Sequence, residues 1–203
     1  MAKTVALIDY GAGNLQSVRN ALKAAGAETI LVTANPEEVL AADRIVLPGV
    51  GAFAHCMGAL SGIKGMIEAL NEATGAKARP FLGICVGMQL MAQAGHEHGT
   101  TSGLGWAHGH VRLMEPADPA TKIPHMGWND VIPANPHPLI VPGEAYFLHS
   151  YAYAGADVLA TTNHDGPVVA AIGRDNRIGV QFHPEKSQAY GLAFLARFLE
   201  WAP

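Results

Sequence analysis

The 203-residue sequence has little cysteine, few charged side chains and no long apolar segment, and each shortage excludes a class of protein. Its two cysteines, Cys56 and Cys85, provide no disulfide framework, which favours a reducing compartment. Charged residues make up 15% and the net charge is −4 without a basic run, so nucleic acid is not an expected partner. Since no apolar run has membrane-spanning length and no signal-peptide pattern is present, we expect a cytoplasmic protein without membrane association.

Short apolar segments alternate with helical patterns in the first half of the sequence. Residues 5–8, 30–32 and 44–47 are predicted to be buried strands, separated by helices at 15–25 and after Pro36. This order predicts a doubly wound parallel sheet. Gly11 and Gly13 lack the third glycine of a dinucleotide fingerprint, because Gln16 stands there, so we expect no nucleotide cofactor.

After a helix at 52–70 that is interrupted near 61–62, the second half of the sequence contains short strand patterns between proline-rich loops. The predicted strands are residues 109–113, 126–131, 145–152, 157–162, 168–172 and 178–182, and a final helix is predicted at 189–201. We therefore predict one α/β domain over residues 1–203, with a central, mostly parallel sheet flanked by helices and additional antiparallel strands in the second half.

Residues 83–89, Gly-Ile-Cys-Val-Gly-Met-Gln, have the pattern of a nucleophile elbow. An apolar segment at 80–82 precedes them, and a helix is predicted at 86–94. A cysteine at a helix N-terminus faces free N–H groups and the positive end of the helix dipole, which stabilise a thiolate. The alternative is that Cys85 is an inert, buried apolar residue.

His183 and Glu185 are a candidate base and its orienting acceptor. They lie two residues apart at the predicted end of a strand, where both side chains would point to the same side. Together with Cys85 they would form a nucleophile–base–acceptor triad. Proteases and other Cys-His hydrolases also fit this chemistry. The ten histidines include two His-x-His pairs, but no further ligands stand at a useful spacing, so we predict no metal site.

Residues 48–51, Pro-Gly-Val-Gly, follow the third predicted strand. Two glycines around Val50 permit backbone orientations that could direct N–H groups at a developing negative charge. From these four residues alone, an ordinary tight turn is the favoured interpretation.

These motifs resemble those of the triad (class I) glutamine amidotransferases, and the resemblance spans nearly all of the sequence. Residues 83–89 look like the nucleophile motif of that family, and residues 182–185 look like its His-Pro-Glu motif. Val86 stands where the family pattern suggests leucine, which is a mild apolar exchange. Segments 9–15, 48–51, 124–129 and 183–187 are similar to the branch that serves histidine biosynthesis, and Met-Gly-Trp-Asn at 126–129 is the most discriminating of them.

The resemblance implies a flavodoxin-like fold and a glutaminase that needs no cofactor. Cys85 would attack the side-chain amide of L-glutamine, His183 would act as base and then acid, and Glu185 would fix the imidazole. The other implied positions are the oxyanion hole at Gly49, Val50 and Val86, and the glutamine contacts at Gly51, Gln89, Glu97, Ser150 and Tyr151.

The resemblance also implies a heterodimer in which ammonia passes to a cyclase subunit with a (β/α)8 barrel. The positions that match the side facing this partner are Asn14, Trp128, Asn129, Tyr146 and Lys186. For Trp128 the alternative is a core aromatic residue. Three other interpretations stay open: a glutaminase for another synthase, such as that of anthranilate or vitamin B6 synthesis; a catalytically silent regulatory module; and a stand-alone cysteine hydrolase or chaperone-like protein on a similar sheet.

Overall fold

The computed structural model describes residues 3–203, and strands alternate with helices through the first half of the chain. The elements are β1 Thr4–Ile8, α1 Leu15–Ala24, β2 Thr29–Thr33, α2 Pro36–Ala41, β3 Arg44–Leu47, α3 Phe53–Gly62, α4 Met66–Thr74 and β4 Phe81–Ile84. The predicted alternation is confirmed. The predicted interruption of the 52–70 helix is the segment between α3 and α4, where Gly65 adopts a φ of +84° just before α4 begins.

The second half of the chain is dominated by strands, as predicted. Its elements are α5 Val86–Gln89, β5 Ala92–Gly95, β6 Thr101–Ser102, β7 Ala107–Leu113, β8 His125–Pro133, β9 Gly143–His149, β10 Tyr151–Gly155, β11 Val158–Asn163, β12 Pro167–Arg174, β13 Arg177–Val180, a 3-10 helix at Pro184–Lys186 and α6 Gln188–Glu200. No helix within residues 3–203 is both long enough and apolar enough to cross a bilayer.

Nine strands form the central sheet, in the order β2-β1-β3-β4-β13-β12-β11-β8-β9. The five strands from β2 to β13 are parallel, and the remaining four are antiparallel. Strands β10, β7, β5 and β6 form a separate four-stranded sheet. The predicted mostly parallel sheet with added antiparallel strands is confirmed. The carboxyl ends of β1, β3, β4 and β13 meet at one edge, which is where open α/β sheets bind ligands.

The central parallel strands are buried on both faces. Every residue of β3 and β4 is buried, as are the last four residues of β1. A strand covered by other elements on both sides needs apolar residues at consecutive positions rather than at alternate ones. The unbroken apolar runs that predicted these strands therefore also place them in the middle of the sheet.

The helix predicted over residues 86–94 is wrong beyond Gln89. Helix α5 ends there after one turn, and Ala92–Gly95 forms β5, which pairs with β7 and β6. The backbone of Gly95 packs directly against the ring of Phe53, so that a β-carbon would overlap it. This long-range packing outweighs the local helical pattern.

The single strand predicted at 145–152 is two strands. The chain leaves the central sheet after His149 and enters the second sheet at Tyr151, where β10 pairs with β7. Residues 145–152 therefore connect the two sheets at Ser150. The other predicted strands are present, with every bound within two residues of the predicted one, and the final helix begins at Gln188.

Candidate active site

Cys85 lies at a sharp turn between β4 and α5. Its backbone has φ +54° and ψ −111°, a conformation that non-glycine residues rarely adopt. Close packing explains the flanking glycines, because a β-carbon at Gly83 would overlap the backbone of Gly87, and one at Gly87 would overlap the Leu47 carbonyl. The Cys85 N–H donates to the Val180 carbonyl at 2.8 Å, which ties the turn to β13. The chain therefore has the geometry of a nucleophile elbow.

His183 and Glu185 are in contact, but a strand does not bring them together. Strand β13 ends at Val180, and His183 instead precedes the 3-10 helix Pro184–Lys186. The short turn places His183 Nδ1 2.8 Å from Glu185 Oε1, and the two side chains are only 4% and 2% exposed. The predicted pairing is present, and the predicted reason for it, the i/i+2 geometry of a strand, is wrong.

The electrostatics of His183 reflect two opposing effects. Burial lowers its pKa, but hydrogen bonds with Cys85 and Glu185 outweigh burial and raise the pKa to about 10. A carboxylate only accepts, so Nδ1 carries a proton and Nε2 is the nitrogen left for Cys85. The arrangement stabilises an imidazolium beside the sulfur, as a thiolate nucleophile requires.

Residues 48–51 pass beside the elbow at the end of β3. The Tyr10 hydroxyl donates to the Pro48 carbonyl at 2.7 Å, and the Cys56 thiol donates to the Val50 carbonyl at 3.3 Å. Cys56 is a buried core residue, as its helical context suggests, and it also anchors this segment. Neither anchor was anticipated, because contacts between residues 6 and 38 positions apart leave no local pattern in the sequence.

A cavity of about 180 Å³ opens at Cys85 and His183. Glu97, in the loop after β5, accepts a hydrogen bond from the Phe53 N–H at 2.7 Å, which holds its carboxylate at the wall. All the candidate glutamine contacts border this cavity: Gly51, Gln89, Glu97, Ser150 and Tyr151. A larger, more open cavity of about 540 Å³ lies beside β7, β10 and β12 and is bordered by none of the candidate site residues.

Gln89 and Gln181 form a buried amide pair at the floor of the site. Gln89 Nε2 donates to the Tyr151 carbonyl and to Gln181 Oε1, both at 3.0 Å. Gln181 Nε2 lies 3.6 Å from Cys85 Sγ. Gln181 was not among the predicted site residues, since nothing in the sequence distinguishes it from other residues near the end of a strand.

An exposed surface adjoins the cavity along β8 and β9. Trp128 is 48% exposed, so the alternative that it is a core aromatic is wrong. Its indole packs edge-on against the Tyr146 ring, and Lys186 Nζ lies 5.7 Å from that ring. Lys186 also borders the cavity, so it connects the cavity to this surface. Asn14 caps α1 by accepting from the Ser17 N–H at 3.3 Å.

The two His-x-His pairs do not assemble into a larger ligand cluster. His96 Nε2 lies 3.1 Å from His110 Nδ1, which joins one histidine of each pair. No group of three or more potential metal ligands occurs within residues 3–203.

Two buried histidines, His125 and His149, predict acid sensitivity of the fold. Burial, followed by the nearby His164, lowers the pKa of His125 to about 4. Burial also lowers the pKa of His149 to about 3. The hydrogen bond to the Tyr151 carbonyl opposes this shift, whereas the nearby His125, His164 and His183 add to it. In the unfolded chain both protonate near pH 6.5. Their stabilisation is therefore complete above pH 6.5 and is lost as the pH falls towards 4 and 3.

We expect the free energy of unfolding to decrease between pH 6.5 and 5 by up to about 1.4 kcal/mol per pH unit for each of these histidines. Urea denaturation at half-unit pH intervals measures this slope, and the window lies above the range where most carboxylates titrate. His149→Asn should reduce the slope. A free energy of unfolding that stays constant from pH 7 to 5 would contradict the expectation.

The sequence pattern of the family described as Glutamine amidotransferase class-I matches residues 6–201. The chain is 62% identical to a Zymomonas mobilis subsp. mobilis protein named Imidazole glycerol phosphate synthase subunit HisH, with 100% of this chain and 98% of that protein covered. A Rhodospirillum rubrum protein of the same name is 56% identical, with 98% and 99% covered.

Solved structures show the same fold at low sequence identity. A structure described as a glutamine amidotransferase has a TM-score of 0.75 at 16% identity and covers 97% of each chain. A structure described as PurLQS from Thermotoga maritima has a TM-score of 0.70 at 18% identity, with 98% of this chain and 97% of that chain covered.

Proposed function

This chain belongs to the class-I glutamine amidotransferases, and from that premise we propose that it is the glutaminase subunit of an imidazole glycerol phosphate synthase. It hydrolyses L-glutamine to glutamate and ammonia, and the ammonia serves histidine biosynthesis. The observation that carries the assignment is the full-length similarity to the HisH subunits. The contact between His183 and Glu185 beside Cys85 supports the catalytic part of the proposal.

In the proposed reaction Cys85 is the nucleophile and His183 transfers the protons. The Cys85 sulfur attacks the side-chain amide carbon of glutamine, and the His183 imidazolium donates its Nε2 proton to the departing nitrogen, so that the carbon–nitrogen bond breaks and ammonia leaves. Water then attacks the thioester while His183 accepts its proton. The carbon–sulfur bond breaks, and glutamate and the thiolate are released. Glu185 holds the Nδ1 proton throughout.

The oxyanion formed in each step needs donors, and we assign them to the N–H groups of Val50 and Val86. Both residues border the cavity next to Cys85. Among the described residues, the Val50 N–H donates to no backbone carbonyl. Val86 is the first residue of α5, and the N–H groups of a first helical turn have no acceptor within the helix. Both observations support the assignment. For the substrate, the Glu97 carboxylate would bind the glutamine ammonium group, and Gly51, Gln89, Ser150 and Tyr151 would border its remaining atoms.

We further propose that the partner is a cyclase subunit with a (β/α)8 barrel, bound at Asn14, Trp128, Asn129, Tyr146 and Lys186. An exposed indole packed against a tyrosine is typical of an interface centre, and the neighbouring Lys186 adds a positive charge beside it. The location of Lys186 between this surface and the cavity would let the partner sense the glutaminase site. We assign the complex to the cytoplasm, in agreement with two free cysteines.

The test is co-purification with the cyclase subunit from the same cell, followed by an assay of glutamate release and of imidazole glycerol phosphate formation. The proposal requires both activities in the complex. The assay is run with the chain alone, with cyclase, and with cyclase and its nucleotide substrate, since a glutaminase that serves a partner should hydrolyse little glutamine alone. Glutamate release without any partner-dependent synthesis would favour a glutaminase of another pathway.

Replacing Gly49 with alanine should reduce turnover much more than it changes glutamine binding. An added β-carbon would lie 2.7 Å from the Gly87 nitrogen and 2.9 Å from the Tyr10 hydroxyl, so residues 48–51 would have to move away from the elbow. Loss of one oxyanion donor reduces kcat by about 10²–10³. Steady-state kinetics of the complex tests this expectation, which is a large decrease in kcat with a much smaller change in the KM for glutamine.

Gly58→Ala is the matched control for Gly49→Ala. Gly58 lies in α3, where an added β-carbon meets no atom within 4 Å, and kinetics like those of the wild type are expected. Equal kcat values for the two alanine variants would contradict the role assigned to residues 48–51.

A further inference from the structure

Two buried imidazoles at the active site have no part in the proposed reaction. His125 is the first residue of β8 and His149 the last of β9, and the two are directly opposite each other in the strand register. Both side chains are buried, and His149 borders the cavity that contains Cys85. Buried polar groups require hydrogen-bond partners, so the partners of these rings define what the rings can do.

The hydrogen bonds of the two rings permit one arrangement of protons. His149 Nδ1 lies 2.9 Å from the Tyr151 carbonyl, which can only accept, so Nδ1 donates. His149 Nε2 is then an acceptor, and it receives a proton from His125 Nδ1 at 3.2 Å. His125 Nε2 in turn accepts from the Asn129 amide at 3.0 Å. Both rings are neutral, and all four ring nitrogens are used.

Asn129 is fixed at the outer end of this series. Its Nδ2 also donates to the Asn163 carbonyl at 2.8 Å, so both amide hydrogens are used and the orientation of the amide is determined. Asn129 follows Trp128, the exposed indole of the proposed partner surface. Movement of this part of β8 therefore acts directly on the hydrogen bond to His125.

The inner end of the series reaches the nucleophile. The Tyr151 carbonyl that accepts from His149 also accepts from Gln89, which in turn donates to Gln181 beside Cys85. We call the series Asn129, His125, His149 and the Tyr151 carbonyl the imidazole line. It connects the partner surface to the amide pair at the floor of the site, and no donor–acceptor distance along it exceeds 3.2 Å.

We propose that His125 and His149 are positioning residues for glutamine hydrolysis. Through them, the imidazole line couples the glutaminase site to Asn129 on the partner surface. The inference rests on the proposed function. The imidazole line orients groups and transfers no proton. His125 Nε2 accepts only from the Asn129 amide, so displacement of Asn129 leaves this buried nitrogen unpaired. The rings then reorient to restore their hydrogen bonds, and the Tyr151 carbonyl and Gln89 shift with them.

The side chains packed around His125 restrict how its ring can move when the imidazole line changes. His125 is stacked between the rings of Phe147 and His164, with centroid distances of 4.8 and 4.3 Å. His164 donates through Nε2 to the Lys122 carbonyl and makes no hydrogen bond to the line. His125 therefore has little freedom except rotation within its stack, and His164 is a neighbour that can be changed without cutting the line.

Two asparagine substitutions cut the line at different places. In His149→Asn the amide nitrogen replaces Nδ1 and keeps the bond to the Tyr151 carbonyl, but it no longer reaches His125. In His125→Asn the amide keeps the bond to His149, but it no longer reaches Asn129. We expect each to lower partner-dependent glutaminase kcat/KM by roughly 5- to 30-fold, which corresponds to the loss of one buried hydrogen bond. His164→Asn is the matched control, with kinetics like those of the wild type.

The double-variant comparison separates coupling from structural support. If the line transmits the effect, Asn129→Ala lowers kcat/KM in the wild type and has little further effect in His125→Asn or His149→Asn. Association with the cyclase should be unchanged in His125→Asn and His149→Asn, and synthesis from ammonium should be unchanged in all variants. Because Asn129 lies on the proposed partner surface, Asn129→Ala is assayed at saturating cyclase. Additive effects, or lower urea stability without a change in kcat/KM, would overturn the inference. Wild-type complex without glutaminase activity would instead overturn the proposed function.

Discussion

Replacing Cys85 with alanine is expected to abolish glutamine-dependent synthesis by the complex, while synthesis from free ammonium continues. The nucleophile is lost from the glutaminase, and the cyclase retains its own site. Removing the nucleophile of a catalytic triad lowers turnover by on the order of 10⁴–10⁶. Glutamate release and ammonium-dependent product formation, assayed in parallel on one preparation, measure both parts of the expectation.

Cys56 provides the matched control for Cys85. Both cysteines are free and buried, but only Cys85 borders the cavity. An electrophilic glutamine analogue should therefore add one label to the wild type and to Cys56→Ala, and none to Cys85→Ala, as measured by intact-protein mass spectrometry. Loss of both the glutamine- and the ammonium-dependent activities in a folded, associated Cys85→Ala complex would contradict the proposed division of labour.

Changes at His183 and Glu185 should differ in size. His183→Ala removes the group that transfers protons and should lower kcat by about 10⁶, whereas Glu185→Gln should lower it by about 10⁴. In Glu185→Gln the negative charge that stabilises the imidazolium is lost, and the amide can present either an acceptor or a donor to Nδ1. Within residues 3–203, Glu185 Oε2 is buried without a hydrogen-bond partner, so an amide nitrogen there would be unsatisfied. Single-turnover thioester formation compares the two variants.

Folding has to be checked in these variants, because His183→Ala leaves the Glu185 carboxylate buried without its partner. Circular dichroism and association with the cyclase serve as the check, and the double variant His183→Ala, Glu185→Gln removes the unpaired charge. His55→Ala, at an exposed position of α3, is the control and should retain full activity. Full glutaminase activity in both His183→Ala and Glu185→Gln would exclude the triad mechanism.

The central sheet could be predicted from the sequence because its strands are covered on both faces. Unbroken apolar segments at β1, β3 and β4 are a local consequence of burial, and so is the alternation with helices. The elbow could be predicted for a similar reason. Only glycine at positions 83 and 87 permits the close backbone contacts that the turn requires, and this requirement is visible in the sequence itself.

The conformations of residues 90–95 and 183–185 were decided by contacts with distant parts of the chain. The local pattern after Gln89 favours a helix, but Ala92–Gly95 gains pairing with β7 and packing against Phe53 as a strand. His183 and Glu185 meet in a 3-10 turn, although their spacing suggests a strand. A short segment adopts the conformation that satisfies its long-range hydrogen bonds, even where its intrinsic preference differs.

The sequence by itself determined the fold class, the elbow at Cys85 and the candidate triad, because each leaves its evidence in consecutive or closely spaced residues. The tertiary structure alone decided which residues anchor and connect the site: Tyr10 and Cys56 at residues 48–51, Gln181 beside Cys85, and His125 with His149. These contacts join residues up to 96 positions apart. They exist because the sheet brings the ends of distant strands to one edge, and no local pattern encodes which of those ends become neighbours.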